Sequence, residues 1–241
     1  MNRTTRIVWA REAFAMSCSP AVYTALTAFF ALCAGLFFAA LQIGEGTFWS
    51  LPALWILSVA LPLPLLAILV TMPLFAGERA AGTLQQLMIL PVAVGRVIVG
   101  KFLAAYGTVL LGILGAVVPW LFLSRGLAGK LPPLAALAAG LVMLGLHGLS
   151  WTALGVLCSV LARRPWAAAI GTLLLGGGAI LAWAALSRLF LGGHLQAPAF
   201  PLVTELLDAA AGRLALHSLV LHLSLSSWCL FVSRHLLETR R

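Results

Sequence analysis

The sequence predicts an all-α integral membrane protein with six transmembrane helices, and three observations carry that prediction. The chain of 241 residues is 62% hydrophobic and only 9% charged, where a soluble domain carries about a quarter charged residues. Six apolar runs reach the ~20 residues that cross a hydrocarbon core: 20–41, 51–75, 97–123, 134–161, 166–191 and 214–232. The cations collect between those runs. Membrane topology therefore explains the net charge of +9 better than nucleic-acid binding does.

The first run is longer than the ~7–15 residues of a cleavable signal core and reads as a retained helix. Six crossings put both termini on one side. With the termini cytoplasmic, the inner segments hold Arg3, Arg6, Arg11, Arg79, Arg96, Lys101, Arg163, Arg164, Arg234, Arg240 and Arg241. The outer segments hold only Arg125, Lys130, Arg188 and Arg213. The bias toward one side predicts cytoplasmic termini. Residues 42–50 and 124–133 are short outer loops, and Arg163-Arg164-Pro165 is a tight inner turn. Residues 76–96 form the longest inner segment and 192–213 the largest outer loop. No loop is long enough to hold a soluble domain. The expectation is one membrane domain over 1–241: an interfacial segment at 1–19, a six-helix bundle at 20–234 and a cytoplasmic tail at 235–241.

Within the spans, Gly140, Gly148 and Gly155 share a narrow sector of the fourth helix. Small residues let membrane helices approach closely, whether to slide or simply to pack. Pro62 and Pro64 lack amide donors and predict a kink in the second span. Cys18, Cys33, Cys158 and Cys229 lack metal-ligand spacing and read as small apolar packing residues. No span carries an acid at its centre. A carrier driven by protons or ions usually has one, so the energy is expected to come from elsewhere.

The 76–96 segment mixes polar groups into an otherwise apolar chain. Thr83-x-x-Gln86 fits a capping box. Leu84, Leu87, Met88 and Pro91 fall at i, i+3, i+4 and i+7, on one face of a short helix that Pro91 ends. Two turns of isolated helix are marginal in water. Such a helix needs a partner surface, either lipid headgroups or another protein.

This segment resembles the cytoplasmic loop of ABC-2 type transporter permeases, and is most similar to the gliding-motility-associated group. The residues that carry the resemblance are Phe75, Glu78, Gly82, Thr83, Leu84, Leu87, Leu90, Pro91, Gly100 and Lys101. Arg11-Glu12, Ser19-Pro20, Tyr23, Gly155 with Ser159, and Gly212-Arg213 extend it over nearly the whole chain. The resemblance implies a permease that pairs with a second permease subunit, identical or paralogous, and with two copies of an ABC ATPase subunit. It makes Glu78, Gly82, Thr83, Leu84, Leu87, Met88 and Pro91 the ATPase-coupling residues. It also makes the N-terminal segment an interfacial elbow anchored by Arg3, Arg6, Trp9 and Arg11, although Glu12 falls on its apolar side. The chain departs from the pattern in Pro73, in Ala80-Ala81 and in the lack of acids at 124–133.

The sequence contains no Gly-x-x-x-x-Gly-Lys-Ser/Thr phosphate loop. The chain is therefore expected not to be an enzyme and to bind no cofactor directly, with ATP used by the partner subunit. His147 and Ser150 lie close in the fourth span but lack a nucleophile signature and a third orienting group. His217 and His222 are not at the i, i+4 spacing of a helical zinc pair. Glu205 and Asp208 would share one face of a helical outer loop and could meet cargo there. The expected role is the permease of an ATP-driven exporter in a bacterial cytoplasmic membrane. The alternative is a non-transporting scaffold for a motility or maturation complex.

Overall fold

The computed structural model describes residues 3–43, 50–84, 93–128, 133–190 and 201–239, and helix is the only regular structure among them. Six helical stretches are long and apolar enough to cross a membrane. Helix α1 (Arg3–Ser17) precedes the first span, α2 (Pro20–Ile43). Pro20 suits the first position of a helix, where its missing N–H costs nothing. The Tyr23 hydroxyl donates back to the Ser17 carbonyl at 2.7 Å and fixes the turn between the two helices.

The second span is broken into α3 (Leu51–Ala60) and α4 (Leu63–Thr71), followed by the short α5 (Ala76–Ala80). The break falls where the sequence places it. Pro62 and Pro64 cannot donate to the carbonyls of Ser58 and Ala60. The third span, α6 (Val94–Ala128), runs beyond both ends of the apolar stretch that predicts it, and keeps Pro119 inside the helix. The remaining helices are α7 (Leu134–Leu161), α8 (Pro165–Phe190), α9 (Pro201–Ala210) and α10 (Leu216–Glu238).

Burial separates the spans into two groups. The most apolar stretch of α7 is 72% buried and that of the second span 67%, against 17% for α8 and 22% for α2. The second, third and fourth spans therefore make the centre, and α2, α8 and α10 surround it. The glycine sector of α7 explains how the centre closes. Gly140 faces Ile56 and Trp55, Gly148 faces Val109 and Leu63, and a Cβ on Gly155 would overlap Thr71. These glycines admit side chains of the second and third spans against the α7 backbone. That is close packing of a fixed kind, worth having in lipid because apolar burial alone does not drive helices together there.

Two ends of the bundle can be told apart by their contacts. At one end, Val8 of α1 lies on Gly100 of α6, and the stem of Arg234 from α10 lies on Gly95. Both chain termini meet the start of α6 there, and this is called the terminal end. At the opposite end α9 packs inward through Leu206, Ala209 and Ala210. Gly212, with φ of +80°, turns the chain against Ala135 into α10.

Candidate functional site

The largest departure from an apolar interior sits at the terminal end. Lys101, the eighth residue of α6, is only 2% exposed. Its Nζ donates to Glu78 Oε1 at 2.7 Å, to Glu12 Oε1 at 3.0 Å and to the Leu74 carbonyl at 3.2 Å. An ammonium has three protons, and all three are used. The Phe75 ring covers the same nitrogen at 5.4 Å from its centroid. A buried cation persists only when paired and hydrogen-bonded. Here the pairing joins three elements: α1 through Glu12, the α4–α5 connection through Leu74 and Glu78, and α6 through Lys101.

The sequence prepares this convergence. On α1, Thr5, Val8, Glu12 and Met16 fall at intervals of three and four, the spacing of one helix face. Val8 meets Gly100, and Met16 Sδ lies 3.6 Å from the Thr108 hydroxyl. Glu12 is therefore carried onto α6 by its apolar neighbours, one residue from the glycine that lets α1 approach. The position of Glu12 among apolar residues, which conflicts with an amphipathic reading of α1, is resolved by Lys101.

A second set of bonds fixes α5 from the other side. The Ser159 hydroxyl, near the end of α7, accepts the N–H groups of Phe75 and Ala76, both at 3.1 Å, and donates to the Met72 carbonyl. The first turn of a helix leaves N–H groups without intrahelical partners, and a distant serine satisfies two of them. Arg79 Nη1 donates to the carbonyls of Val160 at 3.0 Å and Ala162 at 2.6 Å. A guanidinium at the carbonyl end of α7 also complements that helix dipole. The root of the 76–96 segment is thus held between α1 and α6 on one flank and α7 on the other.

The sequence-predicted site residues distribute as follows. Glu78 is in the hub, and its Oε2 is buried with no partner among the described residues. The formal charge of Glu12, Glu78 and Lys101 together is −1. Gly82 has φ of +74°, a value only glycine adopts freely. The Thr83 hydroxyl donates to the Glu78 carbonyl at 3.2 Å, closing the turn backwards. Leu84 is buried in the core. Gln86, Leu87, Met88 and Pro91 lie outside the described residues. Of the proposed anchors, Arg6, Trp9 and Arg11 are exposed, and the Arg3 side chain is outside what is described. Sequence reasoning matched Lys101 to a family position without finding its partners, and it missed the Ser159 and Arg79 clamps. A buried-run lysine, a misplaced Glu12 and a glycine beside the lysine were the available signals.

A second polar cluster lies toward the opposite end. Ser150 Oγ of α7 and Nδ1 of His222 on α10 are 2.7 Å apart. Glu205 of α9 sits 3.4 Å from His217 Nε2 and 4.0 Å from His222 Nε2. His147 stands edge-on to both His222 and Trp151. Glu205 therefore turns inward, and its side chain is 11% exposed, whereas Asp208 faces outward. The two acids do not act as a pair. Among the described residues no group of three or more His, Cys, Asp or Glu side chains could hold a metal ion.

A bundle of six helices long and apolar enough to cross a membrane defines the class of multi-pass membrane proteins. The family follows from comparison. The chain belongs to the ABC-2 transporter family, whose model, described as ABC-2 family transporter protein, matches residues 5–236. The match takes in all six spans and every residue of the hub. Members of this family are the membrane subunits of ABC transporters and not the catalytic ones, and they work with an ABC ATPase subunit. No curated protein matches the chain.

Proposed function

We propose that this chain is the permease subunit of an ATP-driven exporter in a bacterial cytoplasmic membrane, with both termini and the 76–96 segment on the cytoplasmic side. The gliding-motility-associated group is the subgroup its motifs fit best. A separate ATPase, present in two copies per complex, seats one copy against the segment that Gly82 and Thr83 begin, with Leu87, Met88 and Pro91 as the apolar contact and Leu84, buried in the core, fixing the start of that segment. A second permease subunit, identical or paralogous, completes the cavity through which cargo leaves. Walls almost free of charge suit an apolar or amphiphilic cargo, or an extruded chain. Arg3, Arg6, Trp9 and Arg11 anchor α1 at the headgroups, and Glu205 and Asp208 lie on the outer side.

The observation that carries this reading is the Lys101 hub. A coupling element must be tied to the helices it moves. Glu78, at the root of the segment, shares one ammonium with α1 and α6, and Ser159 and Arg79 tie the same root to α7. Displacement of the segment reaches three helices at once. The test uses the purified permease with its ATPase in liposomes. Leu87→Asp with Met88→Asp, and separately Glu78→Gln, should lower ATP turnover and uncouple it from export while both subunits remain folded. Unchanged turnover in both variants would overturn the coupling role. Continued function with a hydrolysis-dead ATPase would favour a scaffold instead.

A further inference from the structure

A cavity of about 480 Å³ opens at the terminal end between α1, α6 and α10. We propose that it holds one anionic phospholipid, with the phosphate between Arg96 and Arg234 and an acyl chain running down the wall below them. The inference needs only that the chain spans a bilayer, and does not depend on transport or on an ATPase.

The lining changes character with depth. Arg96 is in the first turn of α6 and Arg234 in the last turns of α10, so both cations lie at the rim. One turn further into the bundle the same two helices present Val99, 40% exposed, and Phe231, 68% exposed. A helix rises about 5.4 Å per turn, roughly the step from a phosphate to the start of its acyl region. Cations over an apolar wall match a phospholipid and do not match a soluble anion.

The rim is built. A Cβ on Gly95 would come within 3.2 Å of Arg234 Cδ, so the absence of a side chain there is what lets the Arg234 stem cross the start of α6. Glu238 accepts from Arg234 Nε at 2.8 Å, which orients the guanidinium. Arg96 makes no ion pair with the described residues. The start of α6 adds the positive dipole end that favours phosphate. Thr5, 6% exposed, also lines the cavity and adds a polar side chain to its wall.

The full chain, reconstituted in nanodiscs containing dioleoylphosphatidylglycerol and dioleoylphosphatidylcholine in equal amounts, gives the test by native mass spectrometry. One phosphatidylglycerol per chain should survive release from the disc. Arg96→Gln with Arg234→Gln should weaken its retention about 30-fold, from the usual worth of two cations near an anionic surface. Gly95→Leu, which displaces Arg234 and keeps both charges, should weaken it as well. Equal retention of the two lipids, or phosphatidylglycerol held undiminished by the double variant, would overturn the proposal. So would full displacement of the lipid by millimolar inorganic phosphate, because that marks a site for a free anion. A melting temperature of each variant within a few degrees of the parent confirms that a loss of lipid is not a loss of fold.

Discussion

The two ends of this bundle both bury charge, and they do so differently. At the terminal end one ammonium reaches three oxygens within 3.2 Å, a serine and an arginine satisfy the backbone around it, and Glu78 Oε2 is the hub atom left without a partner among the described residues. At the opposite end Glu205 has its nearest imidazoles at 3.4 and 4.0 Å, and the Ser218 hydroxyl and His222 Nε2 have no hydrogen-bond partner among the described residues. The more short bonds a buried polar network makes, the more it rigidifies one arrangement. Three short bonds to one ammonium make the terminal end the more tightly held of the two, as the proposed coupling role requires. The longer contacts and unpartnered atoms leave the opposite end the more loosely held of the two.

The sharpest way to break this comparison is to remove the ammonium. Lys101→Met leaves Glu12 and Glu78 facing each other with no cation between them. Breaking a buried pair costs about 3–5 kcal/mol, and unfolding in mild detergent should show a loss of that size. Adding Glu12→Gln and Glu78→Gln to the same chain should recover most of it, because the stranded charges are gone. A Lys101→Met chain that melts with the parent would show that the hub holds nothing together.

The next effect belongs to Ser159. Ser159→Ala removes the acceptor for two amides and the donor to Met72, and leaving such groups buried costs about 1–3 kcal/mol. Hydrogen exchange at Phe75 and Ala76 should quicken while the centre of α7 stays protected. Gly155→Ala is expected to cost a similar ~1–3 kcal/mol by overpacking against Thr71. Thr71→Ala in the same chain should return part of that loss, and a double-mutant cycle reads the coupling directly. Additive effects would mean that α4 and α7 are not in contact at that level.

Much of this architecture was legible because bilayer thickness dictates helix length. The six runs, the break at Pro62 and the glycine sector of α7 all follow from residue counts and backbone chemistry. The hub was legible only as a set of anomalies. Glu12 sits on the wrong face of α1, and Lys101 sits eight residues into a span. Each is costly alone, and the pairing that removes both costs joins positions 89 residues apart. One-dimensional patterns carry no information at that range. Ser159 was hidden for the same reason: its partners are Phe75 and Ala76, and nothing local distinguishes it from any serine in a span. Glu205 reads as part of an exposed loop face because it lies three residues from Asp208 in the longest outer loop, yet the burial of Leu206 on the same helix goes with a Glu205 turned toward the imidazoles.

The smallest expected effect tests the loose end of the comparison. Glu205→Gln keeps the shape of the side chain and removes its charge. Its contact with His217 is made to a ring whose side chain is 72% exposed, where solvent screens most of the attraction. The distance to His222 Nε2 is beyond a hydrogen bond. The stability change should stay under about 1 kcal/mol, well below that of Lys101→Met measured in the same detergent. If the two substitutions cost the same, then Glu205 is as firmly held as Lys101. The opposite end would then be a second rigid node, and the flexibility inferred for it would have to be sought elsewhere in the bundle.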